Sequence, residues 1–458
     1  MTMSTHASRP DALRRHAART CAALVVLTCG SGMSSCVRVQ ISYRDVGTDA
    51  PDAPRPDAPR PDAAMDAPAP DAPGLDAPPM DTPRLDGAVV GADATRAVLA
   101  SIGEHVILAD LRTFESLAMA LEGATRAAVA TGTPEARDAA RTAWRDAMRV
   151  WQRVEAVQVG PAGLSTVTAG GRRLRDEIDA WPLLGFCLID RQIVAPTHSD
   201  AALLRAVAVN ARGLSTLEYL LFSENTGNRC GAMAEINATG AWAALGDAEI
   251  ARRRLVYAHT AAVLVVERAA ELRAIWEPSG GNFLGELSAA GAGSSVYPTA
   301  QAALNSVSDS LVYLYKNVAD SKIGVPAGLR MECPTDTCPD YVESPFADAS
   351  LDHVRVNIEA FRDVYLGAPA GTDAPGFDDL LRSIGAGDLD QRIQVAIGVA
   401  FAALEAVEAP LESAVLVDHA DVVVLFGACR TLFDLAFGVE ALTLLDLQPS
   451  VVREGDSD

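Results

Sequence analysis

Ala211-Arg212-Gly213-Leu214-Ser215-Thr216-Leu217-Glu218-Tyr219-Leu220-Leu221-Phe222 is the stretch whose reading decides the fold. Leu214, Leu217 and Leu221 recur at steps of three and four, the period of an α-helix. Ser215 and Glu218 are three apart, so a helix sets both on one face. Leu217, Leu220 and Leu221 flank Glu218, which predicts an inward-facing carboxyl. Such a group needs a partner or takes up a proton. The pattern predicts a helix over 200–224.

The same period runs outward from about Ala92 to Leu447, with almost no alternating runs. It predicts further helices over 94–131, 134–157, 241–277, 297–320, 349–366, 388–412 and 414–445. Thr133-Pro134-Glu135 places proline at a first helical position, and Ser199-Asp200 and Ala347-Asp348 precede other starts. Gly246, Gly398, Gly427 and Gly438 interrupt helical patterns, where close helix packing is expected. Aromatic residues make up only 5% of the 458, and Ala, Leu and Val supply most of the apolar mass. That composition argues against a β-sandwich. The fold expected is all-α: two antiparallel helical bundles of about four helices each over 93–450.

The amino-terminal 92 residues read differently. Arg9, Arg14, Arg15 and Arg19 precede the apolar run 22–27, and Gly32-Met33-Ser34-Ser35-Cys36 follows. A basic region, a short apolar core and small residues are the marks of a secretory signal over 1–35. The run is too short to span a bilayer. Small residues before Cys36 make it the expected lipidation site, with plain cleavage and release as the alternative. Residues 36–92 are an expected disordered linker. Within 45–86 there are ten Asp and eleven Pro, with Asp52, Asp57 and Asp62 at steps of five and Asp66 to Asp86 continuing that step. Proline at this density removes amide donors and excludes αR before it. The like charges favour an extended, solvated tether.

The formal charge of −22 repels phosphate backbones and anionic lipid, which excludes nucleic acid as a partner. Cations are the natural small partners. Only Lys316 and Lys322 are lysines. Cys21 and Cys29 leave with the signal, and five cysteines remain beyond Cys36. Export permits disulfides, and Cys333 with Cys338, in a polar loop, is the first choice. A zinc pair is the alternative there, though no second CxxC or His pair accompanies it. Cys187 and Cys230 are available for a second bridge, the sequence leaving the pairing of Cys187, Cys230 and Cys429 open, and Cys429, on an apolar helix, reads as a buried thiol.

Several segments together resemble the imelysin-like family of exported bacterial proteins. They are Ala143-Trp144-Arg145, Val150-Trp151-Gln152 with Glu155-Ala156, Gly160-Pro161 and Ile178-Asp179-Ala180-Trp181-Pro182. The 211–222 stretch, Ala319-Asp320-Ser321-Lys322-Ile323-Gly324, Glu343-Ser344-Pro345-Phe346 and Asp352 to Tyr365 follow in order. The resemblance covers roughly 93–450. It implies relatives that include an insulin-cleaving metallopeptidase and proteins of periplasmic iron uptake.

The family motif is Gly-x-His-x-x-Glu, and here Ser215 stands where it has His. Ser with Glu is a poor site for zinc or ferrous iron. None of the seven histidines is followed three later by Glu, and there is no HExxH. A catalytic zinc needs three protein ligands, so no catalytic residue is assigned. Glu218, Ser215, Lys322, Glu343 and Ser344 are the candidates for binding a ligand or a metal, the cofactor being a divalent metal or iron if there is one. Lys322 and Arg212 are candidate partners of Glu218. A buried ion pair joining the bundles explains these residues as well as ligand binding does.

Glu405, Glu408 and Glu412 are expected to form a solvated face, and Asp418-His419-Ala420-Asp421 a helix cap rather than a metal site. The function expected is non-enzymatic binding of a metal or small ligand, in iron uptake, by an exported, lipid-anchored protein. A metallopeptidase with a degenerate site and an envelope scaffold or receptor with an envelope protein partner are the alternatives. Chelator-sensitive hydrolysis would favour the first, and an exposed apolar groove the second.

Overall fold

The computed structural model describes residues 90–448. The expected signal over 1–35, the lipidation of Cys36 and the linker up to residue 89 lie outside the described residues. Among those described, every regular element is helical. In chain order they are α1 (Ala92–Ser101), α2 (Ala109–Thr131), α3 (Pro134–Glu155), α4 (Leu174–Ile178), α5 (Phe186–Val194), α6 (Ala201–Arg205), α7 (Leu214–Phe222), α8 (Glu235–Ala238) and α9 (Asp247–Trp276). There follow α10 (Phe283–Ser288), α11 (Ala300–Ser310), α12 (Ser350–Tyr365), α13 (Phe377–Ser383), α14 (Gly387–Ala406), α15 (Leu411–Val417), α16 (His419–Phe437) and α17 (Val439–Leu444). Two π-helical segments, Ile102–Leu108 and Leu314–Gly324, interrupt the pattern.

Local sequence explains the boundaries. Gly132 takes φ 67° and its N–H returns to Ala128 O at 2.9 Å, which ends α2. Thr133 then caps α3, its hydroxyl accepting from Ala136 N at 3.3 Å, and Pro134 fills the first turn. Asp200 caps α6 through the amides of Ala202 and Leu203.

The expected helix over 200–224 is not continuous. It is split into α6, a 3₁₀ turn at Val209–Ala211 and α7, because the chain turns at Gly213. The 297–320 expectation gives way to α11 and the π-helical segment, and 414–445 breaks at Asp418 and Gly438. The four interrupting glycines do not serve close packing as expected. A Cβ on Gly246, Gly398 or Gly427 would meet nothing within 4 Å, and one on Gly438 would strike the Asp434 carbonyl of its own helix.

Two groups of helices share one continuous apolar core. In the first, α2 packs on α3 and α9, and α7 on α3 and α9. In the second, α16 packs on α14 and on the π-helical segment, and α12 packs on both of those partners of α16. The α3–α12 contact joins the groups. Trp144, Trp151 and Trp276 are fully buried in the core, each stabilising the fold by about 2–3 kcal/mol relative to exposure. Cys187 is bonded to Cys230 and Cys333 to Cys338. Cys429 is free and buried, and burial pushes its thiol up to about 12.

Candidate functional site

The start of α7 is fixed by Gly213, whose φ of 94° suits glycine. A Cβ there would lie 2.4 Å from the Ile178 carbonyl oxygen. This close approach brings Asp179 to the helix end, where its Oδ1 accepts the Ser215 N–H at 3.0 Å. Asp179 thus does for α7 what a local cap does elsewhere, and the positive end of the helix favours its charge. Burial nevertheless raises its carboxyl to about 7, and the Glu155 charge adds to the rise against the bonds to Ser215 and the charge of Arg175. Asp179 Oδ2 is buried with no hydrogen-bond partner.

One turn on, Glu218 Oε1 accepts the amides of Phe346 and Ala347 at 2.9 and 3.0 Å. The turn that presents those amides holds Ser344 at φ 54°, a left-handed conformation uncommon for a residue with a side chain. Burial pushes the Glu218 carboxyl up to about 8; the two amides and the Ser344 hydroxyl oppose it, and the Glu343 charge reinforces it.

Lys322 reaches the same region from the π-helical segment, a geometry that often marks functional positions. Its ammonium donates to Gln152 Oε1 at 2.5 Å and Asn357 Oδ1 at 3.0 Å. It pairs with Glu343 Oε2 at 2.9 Å and stands 3.8 Å from Glu155 Oε2. The rings of Trp181 and Tyr313 flank it at 5.5 and 5.4 Å. Glu343 also accepts from Gln152 Nε2 at 3.0 Å and faces His353 Nδ1 at 3.2 Å. Burial works to raise the Glu343 carboxyl, but the charges of Lys322 and His353 outweigh it and hold it at about 2. Arg175 completes the cluster, its Nη2 lying 2.6 Å from Glu155 Oε1.

All five expected site residues, Ser215, Glu218, Lys322, Glu343 and Ser344, are buried in this region. Their pairing differs from expectation. Glu218 is held by backbone amides, not by Lys322 or Arg212. Lys322 goes to Glu343, and Arg212 pairs with Glu177 at 3.0 Å. A carboxylate that accepts two amides no longer needs a cation.

Gln152, Glu155, Arg175, Asp179, His353 and Asn357 were not singled out from sequence. Gln152 and Glu155 carried a signal: two polar residues three apart on a helix face that also bears Trp144, Met148 and Trp151. Asp179 lay within the quoted 178–182 segment.

Four carboxyl groups (Glu155, Asp179, Glu218 and Glu343) meet two permanent cations, Arg175 and Lys322. With every acid ionised the cluster would be short of positive charge, and burial raises the Asp179 and Glu218 carboxyls to about 7 and about 8. A resident metal does not fit. Among the described residues no group of three or more His, Cys, Asp or Glu is placed to hold a metal ion. Glu218 is engaged by amides, and an ammonium sits within the cluster. The same holds for Asp418, His419 and Asp421. Glu405 is a surface residue 3.5 Å from Arg355.

The imelysin (peptidase M75) family model matches residues 107–435, most of the chain. The chain belongs to the imelysin family. Solved structures that share the fold include two of low sequence identity. One is an iron-regulated protein A precursor from Parabacteroides distasonis ATCC 8503, 20% identical, with a TM-score of 0.62, covering 79% of this chain and 96% of that one. The other is an imelysin-like protein from Psychrobacter arcticum 273-4, 13% identical, with a TM-score of 0.59, covering 79% and 98%. No curated protein matches the chain. Within an imelysin fold, the departure at Ser215 falls at the amino-terminal turn of α7, and Asp179 caps the same residue's amide.

Proposed function

We propose that this protein is an exported, non-enzymatic imelysin that binds a small ligand in the buried cluster around Asp179, Glu218 and Lys322. A lipid on Cys36 holds the chain to a membrane, residues 36–92 act as the tether, and 93–450 form the binding domain. The observation that carries the reading is Asp179: a fully buried carboxylate with one oxygen committed to α7 and the other without a partner. An unpaired buried acceptor costs about 1–3 kcal/mol, and a ligand that donates a hydrogen bond removes that cost. The excess of carboxyls calls for a ligand bearing donors or positive charge. The donor set favours such a molecule over a bare metal ion. A role in iron uptake is supported by family membership and by the name of the P. distasonis neighbour, which is called iron-regulated and a precursor.

Calorimetric titration of the full chain with ferrous, ferric, zinc and copper ions separates the two ligand classes. Saturable binding of a bare ion that Glu218→Gln abolishes without lowering Tm would put a metal, not an organic donor, in the cluster. Absence of ion binding is the result expected.

A further inference from the structure

The cluster is sealed from solvent: Asp179, Glu218, Lys322 and Glu343 are 0, 3, 1 and 1% exposed. A ligand reaches them only if a covering segment moves. The side chains around them come from α3, α4, α7, α12 and the π-helical segment, and from two irregular stretches. One stretch, 178–182, is fixed to α7: the Ile178 carbonyl abuts Gly213, and Asp179 holds the Ser215 amide. Arg175 Nη2 also donates to the Trp181 carbonyl at 2.8 Å. Moving this stretch would uncap α7. The other stretch, 345–347, is held differently.

Five non-glycine residues among those described have a left-handed φ, and two of them, Ser344 at 54° and Asp348 at 51°, bracket these three residues. Backbone held in such sparsely populated regions persists only where surrounding contacts impose it, and it gathers at clamps and switch segments. The ends of the stretch meet, the Ala349 N–H donating to Ser344 O at 3.3 Å, so the residues between them arch from a closed base. From below, Glu218 Oε1 accepts the Phe346 and Ala347 amides. From the side, Arg145 Nη2 donates to the Ala347 carbonyl at 3.2 Å. The half-buried Phe346 ring stands edge-on to Phe186 and Tyr219 at 5.7 and 5.3 Å, with the Arg229 guanidinium over it at 5.5 Å. Glu218 and Arg145 hold the arch by their side chains, so it can lift without breaking a helical hydrogen bond.

We propose that residues 345–347 form a strap, hinged at Ser344 and Asp348, that lifts to admit ligand to the cluster and closes when Glu218 takes its two amides. This proposal rests on the reading of the cluster as a ligand site. Lifting uncovers Glu218 and leaves the neighbouring ion pair intact. Glu343, just outside the hinge, stays anchored by Lys322 at 2.9 Å and by the Ser350 hydroxyl on its carbonyl. Glu218 thus both latches the strap and lies beneath it, where an entering ligand would meet it.

Hydrogen exchange of the full chain, followed by mass spectrometry with no ligand added, tests the strap separately from the ligand reading. The Phe346 and Ala347 amides should exchange at least ~100-fold faster than the interior amides of α7. Their rate should be insensitive to low urea, because a local opening exposes little surface. Glu218→Met, which removes the acceptor, should speed exchange in the strap at least ~10-fold and leave α3 unchanged. Asp348→Pro, whose ring fixes φ at about −65°, should leave the strap unprotected with α3 and α7 unchanged. Exchange at 346 and 347 that matches α7 in rate and urea dependence would overturn the proposal. So would a strap indifferent to Glu218→Met, or a loss of protection in Asp348→Pro shared by α3 and α7. If neither variant folds, the urea dependence of the unaltered chain still decides. Fast local exchange in a protein that carries no bound mass would sink the ligand reading and not the hinge.

Discussion

The Lys322 ammonium lies 2.9 Å from the Glu343 carboxylate, and each of the two side chains is 1% exposed. The pair ties the π-helical segment to the loop that also supplies the amides bound by Glu218. Gln152 from α3 bonds to both partners, so the contact between the two helix groups is built on a fully desolvated ion pair.

Removing one member leaves the other charge uncompensated. Lys322→Met should therefore cost about 3–5 kcal/mol, read as a lower denaturation midpoint with little change in slope. Adding Glu343→Leu should restore part of that loss, because the orphaned charge goes with it.

The cluster should also shape stability against pH. Asp179 and Glu218 have carboxyls raised to about 7 and 8 by burial, whereas unfolded carboxyls titrate near ~4. The native state holds these protons more tightly than the unfolded state does. Their contribution is present in full below ~4 and is lost as pH rises towards about 8. Denaturation midpoints should fall between pH 5 and 8, and Glu218→Gln should flatten that fall. Glu343 acts in the opposite sense: held at about 2, it stabilises above ~4 and loses that contribution as pH falls towards 2. Glu343→Gln should remove the acid limb.

Gly213→Ala should be more damaging than its size suggests. The new Cβ would sit 2.4 Å from the Ile178 carbonyl oxygen at a φ of 94°, so the 178–179 segment or α7 must move. A loss of about 2–4 kcal/mol is expected from strain of this kind. Ala at the exposed Gly398, with open space beyond it, should leave Tm unchanged or raise it slightly.

The two disulfides should contribute unequally. Cys187–Cys230 closes 43 residues and Cys333–Cys338 only 5. Loop-closure entropy gives about 4 kcal/mol for the first and about 2 for the second. Chemical denaturation of the two Cys→Ser double variants measures the difference.

The helical class and most long helices were legible because period 3.6 is a local property, and the Thr133-Pro134 start was legible because a cap is too. The break at Gly213 was not. What requires a glycine there is the Ile178 carbonyl, which is distant in sequence. The site was half legible for the same reason. Glu218, Lys322 and Glu343 announced themselves as charged residues in apolar or motif-like surroundings. Their pairing did not, because backbone amides at 346 and 347 leave no mark in the side-chain pattern. Asp179 serves as a cap from 36 residues away, beyond the reach of rules written for adjacent residues.

Native mass spectrometry of the full chain, purified from its native host beside Glu218→Gln, decides whether the buried cluster holds a ligand. A ligand site around Asp179 and Glu218 requires a small bound mass on the unaltered protein, released on acid denaturation and missing from the variant, which still folds. Equal masses for both proteins, differing only by the substitution, would contradict it and leave the cluster as a structural ion-pair network.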